Sequence, residues 1–173
     1  MVDTLNKIIG IKFLLFFSFV VGCSFPIFNS HQDILTNYEI LLRLNQGQIY
    51  YINFVLDSGI FASLILLILQ KIFFIFSADT VFILASGLLN FTFSLIIYLL
   101  VNKEIQSKFL LNSTILVSSF TFLGGIGGYY QDHLSLTFGL LSFYLFINFK
   151  DKKYIPFIIA ILFFISFNSK QTW

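Results

Sequence analysis

Charged side chains are scarce in this chain of 173 residues. Asp, Glu, Lys and Arg make up 10% of it, whereas an ordinary soluble domain carries about 25%. A chain with so few charges lacks the polar surface that keeps a soluble domain dissolved, so the composition excludes that class. The hydrophobic residues reach 58%, with 25 Phe, and the mean hydropathy is +0.92. The composition therefore predicts an integral membrane protein.

Cysteine and clustered basic residues are scarce as well. The single cysteine, Cys23, excludes an internal disulfide and a thiolate metal cluster. The net charge of +2, without a basic patch among aromatic residues, argues against a nucleic-acid partner. The chain has no Walker loop, zinc-binding helix motif or nucleophile elbow. We predict no cofactor, although the adjacent pair Asp132 and His133 leaves a divalent metal open as a weak signal.

Long apolar stretches predict an all-α polytopic membrane protein with about five transmembrane helices. About 20 residues, rising about 1.5 Å each, cross the hydrocarbon core. The predicted spans are Ile8–Phe28, Val81–Val101, Phe109–Phe122, Leu134–Phe149 and Tyr154–Phe167. Residues 1–173 form a single transmembrane domain, and its end at Trp173 directly after an apolar run suggests the N-terminal part of a longer one.

The first apolar stretch has two other interpretations. A cleaved signal peptide would be followed by polar sequence, whereas Phe25–Phe28 stays apolar. The segment Val20–Cys23 also resembles a bacterial lipoprotein box, in which Cys23 is acylated. The several apolar segments that follow favour a transmembrane helix instead.

The polar stretch His31–Asp57 follows the first predicted span. Its apolar residues recur at helical spacing, which predicts a short amphipathic helix on the membrane surface that Gly47 ends. Glu39 and Arg43 can form an ion pair across one turn of it. The next apolar run, within Ser58–Phe76, is short and is predicted to be interfacial or re-entrant.

Loop charges predict which side of the membrane each loop faces. If Ser58–Phe76 does not cross, Lys103, Lys108 and the cluster Lys150–Lys153 all lie on the cytoplasmic side with the N-terminus, as the positive-inside rule favours. The polar stretch after the first helix, the glycine-rich loop Gly124–His133 and the segment Ser169–Trp173 then share the extracytoplasmic face.

Four side chains of that face are candidates for chemistry: Asp33, Asp132, His133 and Lys170. Asp33 can act as a general base, or it can be a solvated carboxylate or the N-cap of the amphipathic helix. Asp132 and His133 can bind a phosphate or a metal or orient a base, or they can mark a flexible turn at the membrane surface. Lys170 can hold a phosphate, or it can be a lysine that snorkels at a helix end.

The order of these elements resembles the N-terminal half of the GT-C membrane glycosyltransferases, which include the protein O-mannosyltransferases and the lipid A aminoarabinose transferases. The resemblance rests on four short motifs: Asp33–Tyr38 after the first helix, Gln46–Tyr51 before a juxtamembrane helix, Gly128–Asp132 at the start of the fourth span and Phe167–Gln171 after the fifth. The chain departs from the family where Ile34 follows Asp33 in place of Glu and where Leu56–Gly59 replaces a Pro-Pro pair.

The resemblance implies an inverting transferase in a bacterial inner membrane. Its partners are the bilayer, a polyprenyl-phosphate-linked sugar donor and an extracytoplasmic acceptor. Asp33 is the implied base, and Lys170, Asp132 and His133 are implied to bind the donor phosphate. Two other functions stay open: a transporter or lipid-linked-sugar flippase, with ionisable residues near the middle of the membrane, and a non-catalytic assembly subunit.

Overall fold

The computed structural model describes residues 2–28, 32–48, 60–120 and 131–169. In this part the chain forms seven α-helices and no strand, so the all-α prediction is confirmed. The helices are α1 (Val2–Phe28), α2 (Gln32–Asn45), α3 (Ile60–Ile72), α4 (Ala78–Val101), α5 (Lys108–Ser119), α6 (Gln131–Phe149) and α7 (Ile155–Ser169). Side chains are described from Gly10 to Ser24 in α1 and from Tyr38 onward in α2.

Local signals in the sequence explain several helix ends. The Ser77 hydroxyl accepts a hydrogen bond from the Thr80 backbone N–H at 3.3 Å and caps α4. Ser107 caps α5 in the same way. Gly47 has φ +79°, a conformation that glycine adopts readily, and it follows α2 as predicted. The predicted ion pair of Glu39 and Arg43 is also confirmed, with a separation of 2.6 Å.

Only α4, within the described residues, is both long and apolar enough to cross a membrane by length and composition. The other four predicted spans correspond to helices α1, α5, α6 and α7. Of these, α5 has 12 residues and ends at Ser119, short of the predicted Phe122. That these helices span remains a prediction.

Helices α1 and α4 pack side by side in opposite directions. Gly22 lies against Ser86 and Gly87, whereas Ile11 and Leu15, earlier in α1, belong to one apolar cluster with Tyr98 and Val101, near the end of α4. The end of α1 therefore lies beside the start of α4. The segment that joins them, 29–77, begins and ends at the same end of the bundle.

The bundle has two chemically different ends. At the end that we call the α2 end, α2 packs on the start of α4, and Leu134 near the start of α6 joins the same apolar cluster. The opposite end, which we call the lysine end, carries the loops that follow α4 and α6. Its exposed lysines are Lys103, Lys108, Lys150, Lys152 and Lys153.

The interior of the bundle is rich in small polar residues, and its surface is rich in large apolar ones. Asn90 of α4 is fully buried and donates hydrogen bonds from Nδ2 to the backbone oxygens of Ser18 in α1 (2.8 Å) and Ser119 in α5 (3.1 Å). Beside Asn90, the Ser94 hydroxyl forms hydrogen bonds with the hydroxyls of Ser18 and Ser118. Exposed apolar side chains include Phe13, Phe16, Phe109, Val117, Phe143, Phe157, Phe163 and Phe167.

Candidate functional site

Helix α2 is fastened to the start of α4 by a polar and an aromatic contact. The Tyr38 hydroxyl of α2 donates a hydrogen bond to the Asp79 carboxylate in the first turn of α4. The Tyr38 ring also meets the edge of Phe82 at a centroid distance of 5.5 Å. Leu41, one turn further on, is fully buried in the apolar cluster at this end. These contacts fix the position of α2 on the bundle.

Asp33 lies in the first turn of α2, which begins at Gln32. Its side chain is outside the described part of the chain. The backbone position disfavours the N-cap interpretation, because Asp33 lies within the helix. From there to Tyr38 the helix rises by about 7.5 Å at about 1.5 Å per residue, so Tyr38, which holds α2 on α4, is close to the candidate base.

Asp132 and His133 lie in the first turn of α6, and this corrects the prediction that they belong to the loop Gly124–His133. Asp132 is half-buried, whereas His133 is fully buried, with its ring edge-on to Phe93 of α4 at 5.4 Å. The helix explains the difference: His133 and Leu134 face α4, and the His133 carbonyl accepts a hydrogen bond from the Thr137 hydroxyl one turn later at 2.7 Å. Residues Gly124–Tyr130 of the predicted loop lie outside the described residues.

Lys170 lies outside the described residues, one position beyond the end of α7. The last turns of α7 are held against the start of α6. The Ser166 hydroxyl donates to the Ser135 backbone oxygen at 2.7 Å, and the Ser169 side chain is fully buried. The end of α7 therefore lies beside the turn of α6 that carries Asp132.

The helix positions that carry Asp33, Asp132 and His133, and the helix end that precedes Lys170, thus all lie at the α2 end. It holds the first turn of α6, the end of α7 and the fastened helix α2. The described side chains include no group of three His, Cys, Asp or Glu that is suited to a metal ion.

Asp79 is a residue of this end that sequence reasoning missed. Two features could have marked it: the capping residue Ser77 just before it and the long apolar run of α4 just after it. An acidic side chain in the first turn of a helix is also favoured by the helix dipole.

No protein family, curated protein or solved structure matches the chain. The resemblance to the GT-C transferases therefore remains a prediction from the four short sequence motifs and their order.

The contact between Tyr38 and Asp79 predicts an unusual alkaline titration. The hydrogen bond to Asp79, helped by burial and by the negative charge of that carboxylate, raises the pKa of Tyr38 from 10.0 to about 12. Because the pKa is higher in the folded state, this contribution to stability is complete below pH 10 and is lost as the pH rises through 12. We expect Asp79→Asn to return the Tyr38 pKa towards 10.0.

Tyrosinate absorbance, taken as the difference between each protein and its Tyr38→Phe counterpart, isolates this one titration. Glu39→Gln is the control, because Glu39 lies on the same helix and pairs with Arg43 instead. If Asp79→Asn and Glu39→Gln titrate alike, α2 is not fastened to α4 through this hydrogen bond.

Proposed function

We propose that the chain is the membrane domain, or part of it, of a GT-C-like glycosyltransferase, with its site at the α2 end. The observation that carries the proposal is that three elements lie at this end: Leu41 of α2 and Leu134 of α6 share one apolar cluster with the start of α4, and α7 ends beside α6. The start of α2 holds Asp33, the start of α6 holds Asp132, and α7 ends beside α6, one residue before Lys170. The sequence motifs place the acidic and basic groups of a transferase on these same three elements.

The distribution of polar and apolar side chains supports membrane embedding. Large apolar side chains cover the outer surfaces of α1, α5, α6 and α7, and Phe109 and Phe157 are 78% and 71% exposed. Asn90, His133 and the buried serines lie inside. An apolar surface this extensive needs a lipid environment or a partner to cover it. Interhelical hydrogen bonds between buried polar groups are a typical way of joining helices in lipid.

The two ends of the bundle support one orientation in the membrane. The lysines after α4 and α6 share an end with the N-terminal half of α1. By the positive-inside rule this end is cytoplasmic. The α2 end is then extracytoplasmic, and the return of segment 29–77 to the same end agrees with the prediction that Ser58–Phe76 does not cross. Five crossings complete the proposed topology: α1, α4, α6 and α7 make four, and the chain from the start of α5 at the lysine end to the start of α6 at the α2 end makes the fifth.

The proposed reaction moves a sugar from a polyprenyl phosphate to an acceptor hydroxyl. The acceptor oxygen attacks the anomeric carbon from the face opposite the phosphate, so a new carbon–oxygen bond forms with inversion as the bond to the phosphate breaks. Asp33 takes the hydroxyl proton. The departing phosphate carries the negative charge, which Lys170 offsets. Asp132 is placed to orient the donor, and buried His133 acts as a positioning residue that holds the first turn of α6 against Phe93.

A second candidate function, a transporter or flippase, is favoured by a different observation. Helix α5 ends at Ser119, whose backbone oxygen meets Asn90 halfway along α4. A helix that ends at that depth is typical of transporters, in which broken helices place polar groups near the middle of the bilayer. In such a protein Asp33 would not be the reacting group, and the experiment on Asp33 described below separates the two functions.

Cysteine labelling tests the proposed orientation. In a Cys23→Ser background, single cysteines at Asn37 of α2 and Gln131 of α6 are expected to react with an impermeant thiol reagent added outside intact cells. A cysteine at Asp151, in the exposed loop after α6 at the lysine end, is expected to react only after the cells are opened. Labelling of Asp151→Cys from outside, with Gln131→Cys protected, would place the lysine end outside and would contradict the proposed site.

A further inference from the structure

A groove runs along the outer surface of the bundle between α1 and α4. It has a volume of about 310 Å³, and its lining residues are Lys12, Leu15, Phe16 and Phe19 of α1 and Leu88 and Phe91 of α4. All of these side chains except Lys12 are apolar. The volume is at the lower end of the range, about 300 to 1,000 Å³, that is typical of sites for small molecules. A groove with this lining suits a flexible hydrocarbon chain.

Lys12 gives the groove a charge at one end. It is exposed, and it is the sole charged side chain between Gly10 and Ser24, the part of α1 whose side chains are described. Its exposed neighbours on the helix are apolar: Phe13 and Phe16 are 66% and 62% exposed. A single ammonium at the end of an apolar groove is complementary to an anionic headgroup that carries a hydrocarbon tail.

The direction of the groove matches the arrangement of a lipid in one leaflet. Lys12 follows Ile11, which packs in the cluster of Tyr98 and Val101 near the lysine end. Phe19 contacts α4 at Gly87, next to Leu88 and near the middle of that helix. From Lys12 to Phe19 the helix rises by about 10 Å at about 1.5 Å per residue. The groove therefore runs from one interface towards the middle of a hydrocarbon core of about 30 Å.

We propose that this groove binds one acyl chain of an anionic glycerophospholipid, with the lipid phosphate at the Lys12 ammonium. The proposal rests on the membrane embedding and orientation proposed above, but not on the sugar-transfer reaction. The lysine end faces the cytoplasmic leaflet in that orientation, and anionic lipids of that leaflet attract basic residues near its surface. The ammonium selects the charge of the headgroup, and the apolar lining holds the chain.

Native mass spectrometry of the full chain, released from detergent after addition of phosphatidylglycerol or phosphatidylcholine, tests the proposal. We expect the wild type to retain phosphatidylglycerol about fivefold better than phosphatidylcholine, the factor that one lysine contributes near an anionic lipid. Lys12→Gln is expected to remove that preference, and Lys12→Arg to keep it. Lys108→Gln is the matched control, since Lys108 is an exposed lysine of the same end and does not line the groove.

A second variant tests the groove without changing charge. Leu88 is 41% exposed, so Leu88→Trp fills the groove from the lipid-facing side and is expected to lower retention of both lipids severalfold. Equal losses in Lys12→Gln and Lys108→Gln would indicate diffuse attraction to the lysine end and would overturn the proposed site. So would undiminished lipid retention in Leu88→Trp.

Extraction of membranes with alkaline carbonate separates this proposal from the proposed function. Retention of the wild type in the pellet supports embedding, and the lipid measurements then decide on the groove alone. Release into the supernatant would overturn both the groove proposal and the membrane function on which it rests. A pelleted protein without lipid preference would overturn the groove proposal and leave the transferase proposal standing.

Discussion

Gly22→Ala is expected to destabilise the bundle by about 2 kcal/mol, because an added methyl group overpacks the crossing of α1 and α4. A Cβ at this position would lie 2.7 Å from the Asn90 Cβ, 2.7 Å from the Ser86 backbone oxygen and 2.9 Å from the Gly87 Cα. Two of these three atoms belong to the backbone, so no side-chain rotation can make room. Thermal unfolding in detergent, followed by the loss of the monodisperse folded species, measures the effect.

Gly10→Ala is the matched control, since it makes the same change earlier in the same helix. A Cβ at Gly10 meets nothing within 4 Å, and alanine favours a helix over glycine by about 0.5 to 1 kcal/mol. We expect Gly10→Ala to be neutral or stabilising. If the two variants unfold at the same temperature, α1 and α4 do not cross at Gly22.

The helices and their order could be predicted from the sequence because the signals are local. Apolar runs, the Ser77 and Gly47 boundaries and the pairing of Glu39 with Arg43 all depend on residues within a few turns of one another. The all-α fold and the positions of these helices follow from such patterns. The loop charges also predicted that the basic loops share one end, and the hydrogen bond that the Lys103 ammonium donates to Asn148, near the end of α6, agrees with this.

The parts that could not be predicted depend on contacts between distant segments. Nothing near Asp79 in the sequence shows that Tyr38, on another helix, donates to it. Asp132 and His133 are adjacent polar residues in the sequence, which does not show that their surroundings differ. In α6 the side chain of Asp132 is half-buried, whereas the His133 ring is buried against Phe93 of α4. Another such contact lies at the early end of α5, where Asn90 of α4 donates a hydrogen bond to the backbone oxygen of Ser119, the last residue of the helix.

Asp33→Asn is expected to lower sugar transfer by about 100-fold or more with little change in expression. The substitution keeps the size and polarity of the side chain but removes the basic carboxylate, and positioned proton transfer contributes a factor of about 10² to 10⁴. The measurement is the rate at which polyprenyl phosphate is released from synthetic polyprenyl-phosphate hexoses and pentoses, in membranes that contain the complete protein. The helix itself is expected to stay in place, because Tyr38 and Leu41 fasten α2 to the bundle independently of Asp33.

Asp151→Asn is the matched control for this loss, because it makes the same chemical change in an exposed carboxylate at the opposite end of the bundle. It is expected to keep full turnover.

The Asp79→Asn variant adds a graded comparison: it loosens α2 without removing the base, so it is expected to lower turnover less than Asp33→Asn does. Near-normal sugar transfer by Asp33→Asn would assign this residue to helix stabilisation or solvation. If the wild type does not turn over the donor but still moves lipid-linked sugars between the leaflets, the result would favour the flippase. A base acts on one proton in one step, so its loss lowers the rate of transfer and leaves the folding of α2 unchanged.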